Sequence, residues 1–225
     1  MKKITTLTFI TLISLALNAQ SLLPIKYGIK AGANVANIKS NAREGIANID
    51  NSTLIGLSGG FYMEIPLTDK WYLNPELVYS QKGSSFEYDY TQDYNTNNRQ
   101  EYSTNNNLSL TYLKLNPTFS YKINYKISLN AGPSFGFLIS KAYEYTQDPT
   151  NQHSLTDGEF KEETIDVGLN YGWSYYISED FLISLMGYTG LLKTGEINSP
   201  IDIKEEKTSY TIKNDAFVFS LAYLF

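Results

Sequence analysis

The chain has 225 residues, of which 14% are aromatic and only 18% charged, with 19 tyrosines and no cysteine. Without cysteine there can be no disulfide, thiolate metal site or cysteine nucleophile. The formal charge of −5 argues against nucleic acid as a partner, because that needs a basic footprint.

The N-terminus reads MKKITTLTFITLISLALNAQ. Lys2 and Lys3 precede a short apolar run, Ile4 to Leu17, and Ala19 offers a small residue before Gln20. This is the layout of a secretory signal peptide over residues 1–19, too short in its apolar part to span a bilayer. Its removal leaves 16 basic against 23 acidic side chains, a net of −7. No later apolar run reaches about 18 residues, so no transmembrane helix is expected. Residues 20–225 are expected to form one domain.

Eight segments then alternate with a period of two, the mark of strands with unlike faces. In Lys26–Val35 (KYGIKAGANV), Tyr27, Ile29, Ala31, Ala33 and Val35 oppose Lys26, Gly28, Lys30, Gly32 and Asn34. Leu54–Ile65 sets Ile55, Leu57, Phe61 and Met63 against Gly56, Ser58, Gly60 and Glu64. Trp71–Lys82 sets Trp71, Leu73, Leu77 and Tyr79 against Asn74, Glu76, Ser80 and Lys82. Tyr112–Ile123 opposes Leu113, Leu115 and Phe119 to Lys114, Asn116 and Ser120. Ile127–Ser140 opposes Leu129, Phe135 and Phe137 to Asn130, Gly132 and Gly136. Ile165–Ile177 opposes Val167, Leu169, Tyr171 and Trp173 to Asp166, Gly168 and Gly172. Phe181–Leu191 is the least regular, since Met186 and Tyr188 fall on its polar face. Ala216–Phe225 ends the chain with Phe217, Phe219, Leu221, Tyr223 and Phe225 on one side.

Three connectors are tight: Pro66–Lys70, the region of Asn124–Lys126, and Ser178–Asp180. Four are long and polar: Ile38–Thr53, Ser84–Asn107, Lys141–Thr164 and Lys193–Asn214. Short turns alternating with long loops predict an all-β, eight-stranded antiparallel up-and-down barrel with unequal rims. The interior of such a barrel is only wide enough for side chains to fill. The glycines gather on the polar face and the Trp and Phe bulk on the apolar face, with Tyr and Trp near segment ends. Small residues suit a crowded lumen, and bulky apolar ones with interfacial aromatics suit lipid. The expectation is therefore a transmembrane barrel of a Gram-negative outer membrane, with short periplasmic turns and long extracellular loops. A secreted, lipocalin-like ligand-binding barrel would turn the same faces the other way.

The stretches GIKAGANVANI (Gly28–Ile38), YLKLNPTFSYKI (Tyr112–Ile123), AGPSFGFLIS (Ala131–Ser140) and FSLAYLF (Phe219–Phe225) resemble the PorT-like outer-membrane β-barrel family. Its fourth-strand motif commonly reads closer to YLEIPLLLKY, from which Lys114 and Asn116 depart. The resemblance implies the barrel fold, the outer membrane, and a link to secretion components. The aromatic ending at Phe217, Phe219, Leu221, Tyr223 and Phe225 also resembles the signal read by the outer-membrane barrel assembly machinery.

Charges inside a narrow barrel need partners. Lys26, Lys30, Glu64, Glu76, Lys82, Lys114 and Asp166 fall on the inward face and are expected to form a salt-bridge plug. Lys26 is expected to pair with Glu64, and Glu76 to sit between Lys30 and Lys114. His153, the only histidine, lies near Ser154 and Asp157. Neighbouring loop residues are a poor start for a triad, which needs a base held by packing. No catalytic site, metal site or cofactor is expected, a lipid- or peptide-hydrolysing barrel enzyme being the alternative. The segments Ser84–Asn107 and Lys141–Thr164 carry −3 and −4, read as a solvated surface rather than a Ca²⁺ or Mg²⁺ site shared with lipopolysaccharide. The expected role is structural, or surface binding and secretion support through the long loops. The expected partners are outer-membrane lipids and lipopolysaccharide.

Overall fold

A computed structural model describes residues 24–40, 49–95, 98–146, 160–198 and 209–225. The expected signal peptide, residues 1–19, and His153, Ser154 and Asp157 lie outside the described residues. The strands are β1 (Lys26–Ser40), β2 (Ile49–Pro66), β3 (Trp71–Asn95), β4 (Asn98–Lys122), β5 (Ile127–Thr146), β6 (Phe160–Glu162), β7 (Ile165–Tyr176), β8 (Phe181–Gly190), β9 (Gly195–Asn198) and β10 (Ser209–Leu224). There is no helix among the described residues.

Strands β1, β2, β3, β4, β5, β7, β8 and β10 pair antiparallel in that order, and β10 pairs back onto β1. The barrel is closed. Its last residue takes part, because Phe225 N–H donates to the Tyr27 carbonyl at 2.8 Å. The two short strands β9 and β6 continue the sheet beyond β10 at one rim.

At the opposite rim the three tight turns share one device. In each, an early side-chain oxygen accepts the N–H groups two and three residues on. Thr68 Oγ1 serves Lys70 and Trp71, Asn124 Oδ1 serves Lys126 and Ile127, and Ser178 Oγ serves Asp180 and Phe181. These connectors therefore stay at four residues between the strands.

The long connectors are shorter than the sequence suggests. Ser84–Asn107 reads as a polar loop, yet β3 and β4 stay paired from Ser84↔Leu108 out to Asn95↔Asn98. Beyond the bilayer, water tolerates polar side chains on both faces, so Tyr- and Thr-rich polar sequence can extend as hairpin. The other three long connectors are likewise trimmed, by β1 and β2, by β5 and β6, and by β9 and β10.

The apolar face looks outward. Ile55, Leu57, Phe61, Phe137, Phe217 and Phe219 are each more than half exposed, whereas Asn34, Ser120, Ser134, Asp166 and Ser184 are at 1% or less. A barrel in water would show the opposite, so the ligand-binding soluble barrel is set aside. Paired aromatics mark the short-turn rim: Trp71 with Tyr121 at 5.0 Å and Phe181 with Tyr223 at 4.8 Å between ring centroids. Pro75 and Pro117 face each other across β3 and β4. The ladders to β2 and β5 skip positions beside these two prolines, as residues without an N–H require.

Leu115 and Asn116 are adjacent on β4 and face opposite ways, at 50% and 7% exposure. A fluorophore on Leu115→Cys should be quenched by quenchers on lipid tails, and one on Asn116→Cys should not. Leu115→Arg should cost about 2–4 kcal/mol near the midplane, measured by equilibrium unfolding from vesicles. Reversed quenching would invert the assignment of the faces.

Candidate functional site

The alternation that puts Leu and Phe on lipid sends every second residue into the lumen. There the side chains arrange themselves in three levels. At the short-turn rim, Glu64 accepts from Lys122 Nζ at 2.7 Å and from Tyr176 OH at 2.6 Å. The Lys122 ammonium also lies 3.9 Å from the Tyr72 ring centroid. A cavity of about 300 Å³ opens beneath, between Lys26, Lys126 and Glu179.

The expected Lys26–Glu64 pair does not form. The two are opposite each other in the ladder, but Lys26 Nζ donates instead to the Glu179 carbonyl at 2.9 Å. Lys26 sits at the wet edge, while Glu64 points inward at 4% exposure. A buried carboxylate takes the partners that converge on it in the lumen, not its neighbour in the wall.

One level deeper, Lys30 and Glu76 pair at 2.7 Å, as expected. Lys114 does not join them; Asn116 Nδ2 reaches Glu76 at 3.3 Å, and Lys114 leans to Asp166 instead. Beside this pair runs a belt the sequence reading did not pick out. Asn74 Nδ2 donates to Tyr62 OH and Ser120 Oγ, Ser120 to Asn130 Oδ1, Asn130 Nδ2 to Ser174 Oγ, and Ser174 bonds Ser184. It crosses β2, β3, β4, β5, β7 and β8 without a break. Its signal was the row of Asn and Ser at inward positions, which passes for ordinary polar filler until the register brings the residues level.

The third level gathers Lys82 and Lys114 about Asp166. Lys82 Nζ is 3.5 Å and Lys114 Nζ 3.7 Å from Asp166 Oδ2. Tyr188 OH donates to Asp166 Oδ1 at 2.6 Å, and Asn214 Nδ2 to Oδ2 at 3.3 Å. Both ammoniums also crowd the Tyr188 ring, at 3.1 and 3.5 Å from its centroid. Glycine makes the room: a Cβ on Gly168 would strike the Tyr188 ring, and one on Gly136 would press on Asp166 and Lys114. Tyr188, which spoils the pattern of β8 in the sequence, is the organising side chain of this cluster. Above it Leu108, Leu110 and Ile212 are fully buried.

Among the described residues all four ion pairs of the lumen skip at least one strand, Lys114–Asp166 reaching from β4 to β7. Lys30–Glu76 spans β1 to β3, Lys122–Glu64 spans β4 to β2, and Lys82–Asp166 spans β3 to β7. Such contacts tie the wall across its bore. At the far rim the pairs are exposed: Lys141 with Glu162, and Lys193 with Glu163 and Glu196. The Lys141 hydrogen bond holds the Glu162 carboxyl below its usual range. The hydrogen bonds that Lys193 donates to Glu196 and Glu163 hold its ammonium above its usual range. Exposed pairs of this kind add little stability. No group of three metal-ligating side chains occurs among the described residues.

Removing the carboxylate of the third level would strand two buried ammoniums. Asp166→Asn should destabilise the barrel by about 3–5 kcal/mol, against less than about 1 kcal/mol for Glu162→Gln at the rim. Urea unfolding of both variants from detergent micelles checks this; equal losses would deny the cluster its structural weight.

Among known structures, the fold is similar to that of Neisserial surface protein A, at 10% identity and a TM-score of 0.49 over 88% of this chain and 97% of that one. OprG from Pseudomonas aeruginosa is similar at 15% identity and a TM-score of 0.41, covering 89% and 94%. Ail of Yersinia pestis follows at 9% identity and 0.38, covering 89% and 98%. None of the curated protein sequences matches. The family model for the outer membrane protein beta-barrel domain matches residues 18–195. With its lipid-facing wall and polar lumen, the chain belongs to that family of outer-membrane β-barrels.

Proposed function

We propose that this chain is a non-enzymatic outer-membrane barrel with a sealed lumen that works through its long-strand rim. The observation that carries this is the contrast between its two ends. The bore is crossed at three levels by bonded side chains, while β3 and β4 stay paired well beyond their last outward-facing apolar residues. A closed bore leaves the surface as the place of work, as a structural element or a docking surface.

The short turns then face the periplasm and the long strands the exterior, by the usual asymmetry of such barrels. The signal-peptide layout of residues 1–19 supports export with cleavage after Ala19. The PorT-like motifs support a secretion-accessory role within the family. Lipids and lipopolysaccharide would meet the apolar belt. Phe217, Phe219, Leu221, Tyr223 and Phe225 all face outward on the closing strand or at its end, each at least 42% exposed. That is where the assembly machinery would read them, by strand pairing.

Purified protein in planar bilayers should show no steady single-channel conductance, because an eight-stranded lumen is filled; a stable channel would overturn the sealed-lumen reading. In cells, deleting Phe225 should lower surface levels far more than trimming the tip of the β3–β4 hairpin next to Asn95 and Asn98, since exposed tips tolerate change. Equal levels would remove the assembly-signal reading.

A further inference from the structure

The lumen charges do not balance at every level. Lys30 has Glu76 and Lys122 has Glu64, one to one. Lys82 and Lys114 share the single carboxylate of Asp166. That carboxylate is already engaged by Tyr188 and Asn214. At 3.5 Å the Lys82 ammonium lies beyond an ordinary hydrogen bond to it, and Lys82 Nζ has no hydrogen-bond partner although the residue is 1% exposed. An uncompensated charge in such a place is costly.

A cavity of about 50 Å³ lies directly against this group, lined by Lys82, Lys114, Asn34, Asn116 and Tyr188 among others, and by the mutually neutralised pair Lys30–Glu76. At about 10–15 Å³ for each water-sized occupant, it admits a few such bodies and no large anion. Two further polar atoms of its lining residues lack partners, Asn34 Oδ1 and Asn116 Oδ1. Both are acceptors. Water alone could donate to them and accept from Lys82, but it would leave the excess positive charge. A compact anion with one or two waters meets both needs, since each water can donate one hydrogen to an amide oxygen and the other to the anion.

We propose that this cavity is a binding site for one halide-sized monovalent anion, held by Lys82 with Lys114 beside it. The site is built from β3 and β4 on one side and closed by Met186 and Tyr188 of β8 on the other. Its occupant neutralises the middle of the barrel and is enclosed as the barrel closes.

The test uses the full chain, refolded in detergent with sodium chloride, sodium bromide or sodium gluconate at equal ionic strength. Chloride and bromide should raise the thermal midpoint over gluconate, whose anion is too large to enter. Lys82→Met should abolish that difference, whereas the rim variant Lys193→Met should keep it. Crystals grown in bromide should show an anomalous peak within hydrogen-bond reach of Lys82 Nζ. No halide effect on the wild-type midpoint, a halide effect that survives in Lys82→Met, or no bromide peak beside Lys82 would each overturn the proposal. Should Lys82→Met fail to fold, Lys82→Gln takes its place, and the wild-type bromide peak decides independently.

Discussion

Hydrocarbon offers no partner to a backbone N–H or C=O, so a wall of strands in lipid must satisfy itself. In this protein the requirement is met by one closing ladder. β10 pairs with β8 on one side and with β1 on the other, over thirteen paired positions from Gly28↔Leu224 to Ser40↔Ile212. Phe225 and Tyr27 extend it by a further exchange of hydrogen bonds. Open this seam and two strands would expose their edges to lipid. The outward aromatics of β10, the tight turns and the inward polar rows all take their positions from that closure.

Closure at eight strands sets the second constraint, which is space. Inward positions converge on a narrow axis, so a side chain there meets others from strands two and three places away. This is why the ion pairs skip strands, and why Lys26 and Glu64 part although the ladder sets them opposite. It is also why glycine recurs among the inward positions: at Gly168 the missing side chain is the space that the Tyr188 ring fills. The lumen is held by hydrogen bonds as much as by charge. The belt from Tyr62 to Ser184 links six neighbouring strands without a single ion pair. Buried networks of this kind stabilise a fold only when their members are satisfied; in the belt Asn74 Oδ1 is left without a partner, and three further unpartnered atoms, Asn34 Oδ1, Lys82 Nζ and Asn116 Oδ1, belong to residues lining the anion cavity.

Beyond the membrane the constraints relax. The hairpin of β3 and β4 runs on with polar residues, and β6 and β9 add a short flange at the same rim. The ion pairs there, around Lys141 and Lys193, are open to water. They contrast with Lys82 and Asp166, which are shut away from it. The same residue types thus serve a solvated surface at one level and a dry plug at another.

Much of the architecture was legible in the chain. A period of two is a local property, so eight alternating segments, their facing and the tight turns could be read residue by residue. The inward placement of Lys30, Glu76, Lys82, Lys114 and Asp166 followed from the same parity. Lys122 was equally readable, lying in step with Lys114 and Asn116 at the end of β4. Hairpin pairing over Ser84–Asn107 was hidden because polar sequence beyond the bilayer carries no facial contrast. Parity says which way a side chain points, but not how far along the barrel axis it lies. That height depends on strand tilt and on the register accumulated around the closed wall. Only the tertiary structure could therefore decide that Glu64 meets Lys122, that Asp166 serves two lysines, and that Tyr188 stands between them.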